Sequence, residues 1–335
     1  MRRGIPRAPA ETMARKRRGR PVSGWVVLDK PARLTSTRAV GRVRRIFHAQ
    51  KAGHAGTLDP LATGILPIAL GEATKTVPYV MDGEKRYRFS TIFGEERYTD
   101  DLEGRVTATS HYRPTDAEIL GILPDFSGRI SQVPPMYSAI KIRGERSYKL
   151  ARAGEGETPP PREVEISSFE LVDRPCGNRA VFDVTCGKGT YIRSLARDLG
   201  RALGSAAYVA DLRRTRCGPF DENHAISLDK LGKTVLCAPP QDCLLPVTTA
   251  LDDIPALAMT ETQADNLRHG RTVRARSSGT FFVDAEQLDA ASDGDVLWAM
   301  EGETPVALAR LEGEDIRPIR VFNLESAHFE GAETE

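Results

Sequence analysis

A single carboxylate, that of Asp59, lies in the glycine- and proline-rich segment KAGHAGTLDPLATGILP at positions 51–67. Three glycines and two prolines are spread through this segment, so no long helix can run through it. The proline at position 60 also pushes Asp59 towards an extended backbone. We therefore predict that Asp59 is held in one place on a loop.

The charged residues in the stretch immediately before Asp59 are all cations. Between Lys30 and Leu58 the chain has seven Lys or Arg residues and no Asp or Glu. The apolar residues around Asp59 predict a dry environment, where a carboxylate must be paired because unpaired burial costs several kcal/mol. A paired carboxylate can serve as a nucleophile or a general base. The alternative is an Asx turn or a helix cap, the usual role of an isolated aspartate before proline.

The length of 335 residues favours two domains, and 40% hydrophobic with 28% charged residues predicts a folded soluble protein. We expect no membrane-spanning helix, because no apolar run reaches about 18 residues. The basic N-terminus lacks the apolar core of a secretory signal, and translation from either Met1 or Met13 is compatible with it. Five cysteines fit neither a zinc site nor a disulfide framework, so we expect free thiols, a cytoplasmic location and no metal.

Strands and helices alternate along the chain without a regular βαβ rhythm. Positions 24–31 and 86–93 are typical of strands, and amphipathic helices are predicted after Thr35 and after Tyr191. The pattern favours the α+β class, with a mixed, largely antiparallel sheet flanked by helices. The first helix would place Arg38, Arg42 and Arg45 on its solvent side, which by itself indicates an ordinary solvated face.

Composition changes near residue 246, after which short β-like pieces are separated by Gly- and Asp-rich turns. We predict four parts: a basic disordered arm at 1–20, a catalytic domain at 21–247, a small β-rich domain at 248–325 and a frayed tail at 326–335.

Several motifs follow one another over residues 18–325, and together they resemble the TruB family of bacterial tRNA pseudouridine-55 synthases. The longest is GHAGTLDPLATGILPIALGEATK, and the others are GWVVLDKPARLTS, KRYRF, QVPPMYSAIK, GTYIRSLARDLG, LRRTRCGPF and IRPIRVFN. The resemblance implies the pseudouridine-synthase fold followed by a domain similar to PUA domains. It also implies a reaction in the tRNA T-loop that detaches a uracil from its ribose and rejoins it through C5, with no cofactor, metal or redox chemistry.

Four positions match the catalytic residues of that family. Asp59 matches the nucleophile, and Tyr87 matches a tyrosine that stacks on the flipped-out base and is a candidate for the proton step at C5. Tyr191 matches the aromatic residue of the pocket. Arg193 matches the arginine that pairs with the nucleophile, a role for which a guanidinium is well suited.

Further positions match RNA contacts. The histidine that corresponds to His54 stacks within the RNA loop when the target base leaves it. Lys30 corresponds to a pocket or phosphate contact. Asp101, in the predicted turn that contains YTDDLEG, also matches a position of the RNA-binding set.

The motif LRRTRCGPF adds three members to this RNA-binding set. Leu212 would be an apolar wall near the pocket, and Arg213 and Arg214 would belong to a phosphate patch.

The implied partner is tRNA, bound through its T-arm and possibly its acceptor stem, with no membrane and no obligate protein partner, by a monomer. In the C-terminal part Arg268, Arg271, Arg274 and Arg276 cluster, but positions 284–303 are acidic, so only one face of it can meet RNA. Two other functions stay open from the residues alone: an RNA-binding module without catalysis, and a glycosidic hydrolase, for which a second acid is missing. Whether Asp59 attacks the ribose or the pyrimidine ring is also open.

Overall fold

The computed structural model describes residues 19–237, 239–275, 281–282 and 292–324. The predictions that lie wholly or largely outside these residues are the basic arm at 1–20, the tail at 326–335, Arg276 and much of the acidic stretch at 284–303.

Between residues 19 and 221 the structure has thirteen strands. In chain order they are β1 (Gly24–Lys30), β2 (Ala52–His54), β3 (Thr63–Leu70), β4 (Lys85–Phe93), β5 (Glu95–Arg97), β6 (Val106–Thr109), β7 (Gly128–Gln132), β8 (Lys141–Ile142), β9 (Glu145–Arg146), β10 (Arg162–Cys176), β11 (Arg179–Cys186), β12 (Ala207–Cys217) and β13 (Phe220–Asp221). Those that follow are β14 (Ala256–Ala258), β15 (Val273–Arg274), β16 (Phe281–Phe282), β17 (Val296–Glu301), β18 (Thr304–Glu312) and β19 (Asp315–Val321).

The α-helices of the described residues are short. They are α1 (Ser36–Ile46), α2 (Val77–Asp82), α3 (Asp116–Ile122), α4 (Ser147–Arg152), α5 (Ile192–Ala202), α6 (Leu228–Cys237) and α7 (Glu261–Arg268).

The larger sheet has nine strands in the order β1-β3-β12-β4-β11-β10-β7, with β2 paired to β3 and β13 to β12. The β3–β12 pair is parallel, and the other pairs are antiparallel. The prediction of a mixed, largely antiparallel sheet in an α+β fold is therefore confirmed. The parallel pair joins strands that are far apart in sequence, and it brings the Asp59 loop beside β12.

Strand β3 was not predicted, because its glycine and proline are typical of loops. The strand is nonetheless almost wholly buried, since it lies inside the sheet and is covered on both faces. Gly64 makes the parallel pairing possible: its φ is 96°, and a Cβ there would lie 2.2 Å from the Arg214 carbonyl oxygen.

The two helices that matter for the site begin as their sequences predict. The Thr35 side chain caps α1 by accepting a hydrogen bond from the Arg38 backbone N–H, and α1 buries Ala39 and Val43. Helix α5 packs Leu195 and Leu199 into the core of the larger sheet.

The second sheet has six strands in the order β15-β19-β18-β17-β14-β16, which confirms a β-rich C-terminal part. Helix α7, with a Thr260 capping box, was not predicted. The two sheets contact each other: Lys75 Nζ donates to the Val321 carbonyl at 2.7 Å, and Phe322 packs in one core cluster with Trp25. The domain boundary at 247/248 stays a prediction.

Candidate active site

Both oxygens of the Asp59 carboxylate are held by one edge of a guanidinium group. Arg193 Nε donates to Asp59 Oδ2 at 2.8 Å, and Nη2 donates to Oδ1 at 3.1 Å. The Arg193 side chain is only 5% exposed, whereas that of Asp59 is 35% exposed. The pair is formed as predicted, but the predicted dry environment is only partly present, because the carboxylate opens into a pocket.

The remaining N–H groups of Arg193 bind backbone carbonyls. Nη1 donates to Thr99 O and Nη2 to Tyr137 O, each at 2.9 Å. Burial acts to lower the pKa of Arg193, but the nearby carboxylates of Asp59 and Asp101 raise it above its usual value. Arg193 therefore stays a cation with a fixed orientation, and the Asp59 oxygens are oriented with it.

Helix α5 presents Arg193 from its first turn, where the positive end of the helix dipole disfavours a cation. The side chain of buried Gln132 pins this helix start: its Oε1 accepts from the Tyr191 N–H at 2.8 Å, and its Nε2 donates to Tyr191 O at 3.1 Å. Sequence reasoning missed Gln132, because it lies on β7, 59 residues away in sequence from Tyr191.

The backbone on both sides of Asp59 is held by the segment that precedes and starts α1. The buried Ser36 hydroxyl accepts from Leu58 N–H and donates to Leu58 O, both at 2.9 Å. After Asp59, the Pro60 carbonyl accepts from Arg33 N–H at 2.7 Å and from Lys30 Nζ at 3.3 Å. The loop thus has little freedom to move the carboxylate.

We expect Ser36→Ala to slow turnover by about tenfold to a hundredfold, because small misplacements of a catalytic group carry costs of that size. The substitution also leaves two buried backbone groups of Leu58 without a partner, at about 1–3 kcal/mol each. Single-turnover kinetics and a thermal melt measure the two effects. The neighbouring Thr37→Ala is the control, since Thr37 is exposed. Wild-type turnover in Ser36→Ala would show that this hydroxyl does not position Asp59.

The pocket beside Asp59 has a volume of about 300 Å³. Its wall brings together the predicted catalytic residues Asp59, Tyr87, Tyr191 and Arg193, which come from three separate segments of the chain. Leu212 also lines the pocket, where an apolar wall was predicted. The same wall contains Lys85 and Arg162, which sequence reasoning missed.

Tyr87 lies on β4, between β11 and β12. Burial raises the pKa of Tyr87 to about 12, so its hydroxyl is neutral at physiological pH, although the adjacent Arg214 acts in the opposite direction. This tyrosine therefore presents an uncharged ring and a hydroxyl group to the pocket.

Tyr191 is flanked by a second arginine. The Arg162 guanidinium carbon lies 4.8 Å from the centre of the Tyr191 ring, and Arg162 Nη2 donates to the Gly189 carbonyl. Arg162 therefore braces both the ring and the glycine turn before α5. Arg162 was visible in the sequence as a lone arginine at the start of a predicted strand, but no local pattern indicated that it would contact Tyr191.

Two cations of the predicted RNA-binding set are buried. Lys30 is 0% exposed, and its Nζ donates to the carbonyls of Pro31, Leu34 and Pro60. Burial lowers the pKa of Lys30 to about 8, while Asp59 acts to raise it. The predicted phosphate contact by Lys30 is therefore wrong, because all three ammonium protons are used inside the protein.

Arg214 is only 1% exposed, so its predicted place in a surface phosphate patch is also wrong. Its Nε donates to Ile65 O at 2.8 Å and its Nη2 to Gly56 O at 3.1 Å. Arg214 instead supports the pocket wall beneath Tyr87. Its neighbour Arg213 is half-exposed and pairs with Asp29 and Glu222; its phosphate contact stays a prediction.

Asp101 and His54 were predicted to contact RNA. The carboxylate of Asp101 is largely buried, accepts from Glu103 N–H at 3.0 Å and lies 3.8 Å from Arg193 Nη1. This carboxylate is a counter-ion of Arg193, so the RNA-contact prediction does not fit it. His54 ends β2 and is half-buried. Burial, and then Arg214, lower the pKa of His54, which favours its neutral ring. Its role stays a prediction.

Comparison with known proteins identifies the family. A model described as the N-terminal domain of TruB family pseudouridylate synthases matches residues 44–192, and one described as the C-terminal domain of tRNA pseudouridylate synthase B matches residues 193–252. The chain is 54% identical over 327 residues to tRNA pseudouridine synthase B of Bradyrhizobium diazoefficiens, covering 95% of this chain and 91% of that protein. The chain belongs to the TruB family.

A second TruB relative supports this membership. Over 309 residues the chain is 53% identical to tRNA pseudouridine synthase B of Gluconacetobacter diazotrophicus, covering 92% of this chain and 100% of that protein. As a TruB protein the chain is a pseudouridine synthase, an isomerase.

Solved structures share the fold. An H/ACA RNP bound to a substrate RNA containing 2′-deoxyuridine matches with a TM-score of 0.70 at 24% identity, covering 90% of this chain and 86% of that one. A Cbf5–Nop10–Gar1 complex matches with a TM-score of 0.69 at 25% identity, covering 89% and 84%. The prediction of a pseudouridine-synthase fold is thereby confirmed.

Two further findings concern the TruB chain as far as the structure describes it. Its described helices include none that is long and apolar enough to cross a membrane. Within the same residues, no group of three or more His, Cys, Asp or Glu side chains is arranged to hold a metal ion.

Proposed function

We propose that this chain converts a uridine in the T-loop of tRNA, at position 55, into pseudouridine, with Asp59 as the nucleophile. The observation that carries the proposal is the two-point contact of Asp59 with Arg193 at the edge of a pocket lined by Tyr87 and Tyr191. The tRNA substrate is the one named for the relatives from Bradyrhizobium and Gluconacetobacter.

The reaction moves one bond and needs no oxidant or reductant. The N1–C1′ glycosidic bond breaks, the base turns within the pocket and a C5–C1′ bond forms. The proton on C5 leaves to water, and N1 takes up a proton from water, so the product is an isomer of the substrate. Asp59 forms a covalent bond to the ribose or to the pyrimidine ring and is released at the end. Arg193 keeps the carboxylate oriented towards the nucleotide throughout.

The aromatic residues hold the base while it is detached. Unstacking the uridine costs a few kcal/mol, and stacking on an aromatic ring returns about 1–3 kcal/mol. Tyr87 has a neutral hydroxyl, so it suits a role as a stacking surface and as a relay for the C5 proton more than as an ionised base. His54 would take the stacking place that the uridine leaves in the RNA.

The rest of the substrate is bound by shape and by its phosphates. We propose that the T-arm lies over the pocket and that one face of the β14–β19 sheet, acting like a PUA domain, reaches towards the acceptor stem. A monomer working in the cytoplasm, with no obligate protein partner, is sufficient for this chemistry.

The test is an incubation with T-loop RNA tritiated at uridine C5. Isomerisation releases the label to water and leaves the chain intact. Hydrolysis would leave an abasic site, and a binding module would produce neither change, so an abasic product or retained label would refute the proposal. A structure with T-loop RNA carrying 5-fluorouridine would then decide whether Asp59 bonds to the ribose or to the ring.

A further inference from the structure

The exposed side of α1 carries cations that the proposed reaction does not use. Arg38, Arg42 and Arg45 recur at helical spacing, opposite the face that buries Ala39 and Val43. From Arg38 to Arg45 these three side chains, called here the α1 stripe, extend about 10 Å along the helix.

The α1 stripe has no acidic partner in the part of the chain that the structure describes. No salt bridge or side-chain hydrogen bond within those residues involves its guanidinium groups, and the first turn of α1 contains no acid. Several arginines elsewhere do face a carboxylate, as in the pairs Arg179–Asp211 and Arg201–Glu96. Three unpaired guanidinium groups on one short helix are therefore free to bind an anion.

Repulsion between the arginines of the α1 stripe destabilises helix α1. Like charges one helical turn apart destabilise a helix, and the stripe places Arg38 four residues before Arg42 and Arg42 three before Arg45. Arg44 on the flank and Arg33 before the helix add further exposed positive charge. A polyanion is the ligand that removes this repulsion.

The start of α1 is joined to the Asp59 loop, and the chain beyond its end leads to His54. Its first residue, Ser36, holds Leu58 beside the nucleophile. Beyond its last turn, Lys51 leads into β2, which ends at His54.

The basic N-terminal sequence also reaches the structure at this end of α1. Arg20 N–H donates to His48 O at 2.6 Å, and Gln50 N–H donates to Arg20 O at 3.1 Å. Positive charge thus continues from the Asp59 loop along α1 to the point where the basic sequence at 1–20 joins the fold.

We infer that the α1 stripe is a second contact surface for the substrate RNA, which binds phosphates of the same RNA whose uridine enters the pocket. The inference rests on the proposed function for the identity of the RNA. Such contacts fix the position of the RNA without reading its sequence. They would add affinity to a site in which two cations of the predicted RNA-binding set, Lys30 and Arg214, are buried.

The test measures the dissociation constant of full-length unmodified tRNA at several salt concentrations for the triple variant Arg38→Gln/Arg42→Gln/Arg45→Gln. Each phosphate contact contributes about 0.7–0.9 to the slope of log K against log salt, so the magnitude of the slope should fall by about 2–3. In turnover assays the triple variant should have a raised KM and an unchanged kcat.

The matched control is Arg201→Gln, another exposed arginine on a helix, whose charge is already neutralised by Glu96. It should keep the wild-type slope. A thermal melt of the triple variant should give a Tm at or above that of the wild type, since removing the stripe removes repulsion. A wild-type slope and affinity in the triple variant would overturn the inference, and so would a lowered Tm that accounts for the loss of binding.

The outcomes for the two proposals are separable. If the wild type releases no tritium from T-loop RNA, the proposed function fails whatever the stripe does. If tritium is released while the triple variant binds tRNA like the wild type, the inference alone fails.

Discussion

Replacing Asp59 by asparagine is expected to abolish turnover while RNA affinity changes by less than about fivefold. Removal of a catalytic residue such as a nucleophile typically lowers kcat by a factor on the order of 10⁴ or more. Affinity depends mainly on phosphates, which a carboxylate inside the pocket is not expected to touch. The measurement is tritium release under single-turnover conditions, combined with a filter-binding titration of the same RNA.

The control is Asp211→Asn, which also changes an aspartate that pairs with an arginine but lies on the exposed part of β12. It should retain wild-type turnover. Because Asp59→Asn weakens the contact with Arg193, a thermal melt must accompany the kinetics. A folded Asp59→Asn protein that releases tritium at the wild-type rate would rule out Asp59 as the nucleophile.

Arg193→Lys is expected to reduce kcat by about a hundredfold, with a much smaller effect on RNA binding. A lysine ammonium keeps the positive charge but has no planar fork, so it cannot bind both Asp59 oxygens and the carbonyls of Thr99 and Tyr137 at once. The carboxylate then loses its orientation, and misplacement by about 1 Å costs on the order of a hundredfold.

Arg197→Lys is the matched control, because Arg197 is one turn further along α5, is buried, and pairs with Asp100 and Asp198. Both variants replace a buried bidentate arginine, so their stabilities should fall together. Only Arg193→Lys should show the large loss of kcat. Equal losses of kcat in the two variants, or a defect confined to binding in Arg193→Lys, would contradict the role of Arg193.

The local pattern of the sequence was sufficient for the elements that frame the site. Strand β1, helix α1 and helix α5 lie where the sequence predicts them, because β1 is a short apolar run and each helix has apolar residues at helical spacing. Asp59 was identifiable for the same local reason, as a lone acid among glycines, prolines and cations. Strand β3 was missed, because its burial depends on neighbours on both faces of the sheet.

The sequence by itself therefore determined that Asp59 is singular, that it lies on a restricted loop, and which family motifs surround it. Only the tertiary structure decided what each cation does. Arg193 binds Asp59, which is 134 residues away in sequence. Lys30 and Arg214 point inwards and donate to carbonyl oxygens, whereas the arginines of the α1 stripe stay exposed. The physical reason is that a buried cation needs hydrogen-bond acceptors, and here most of these come from segments that are distant in sequence. Local periodicity does not predict where such acceptors lie.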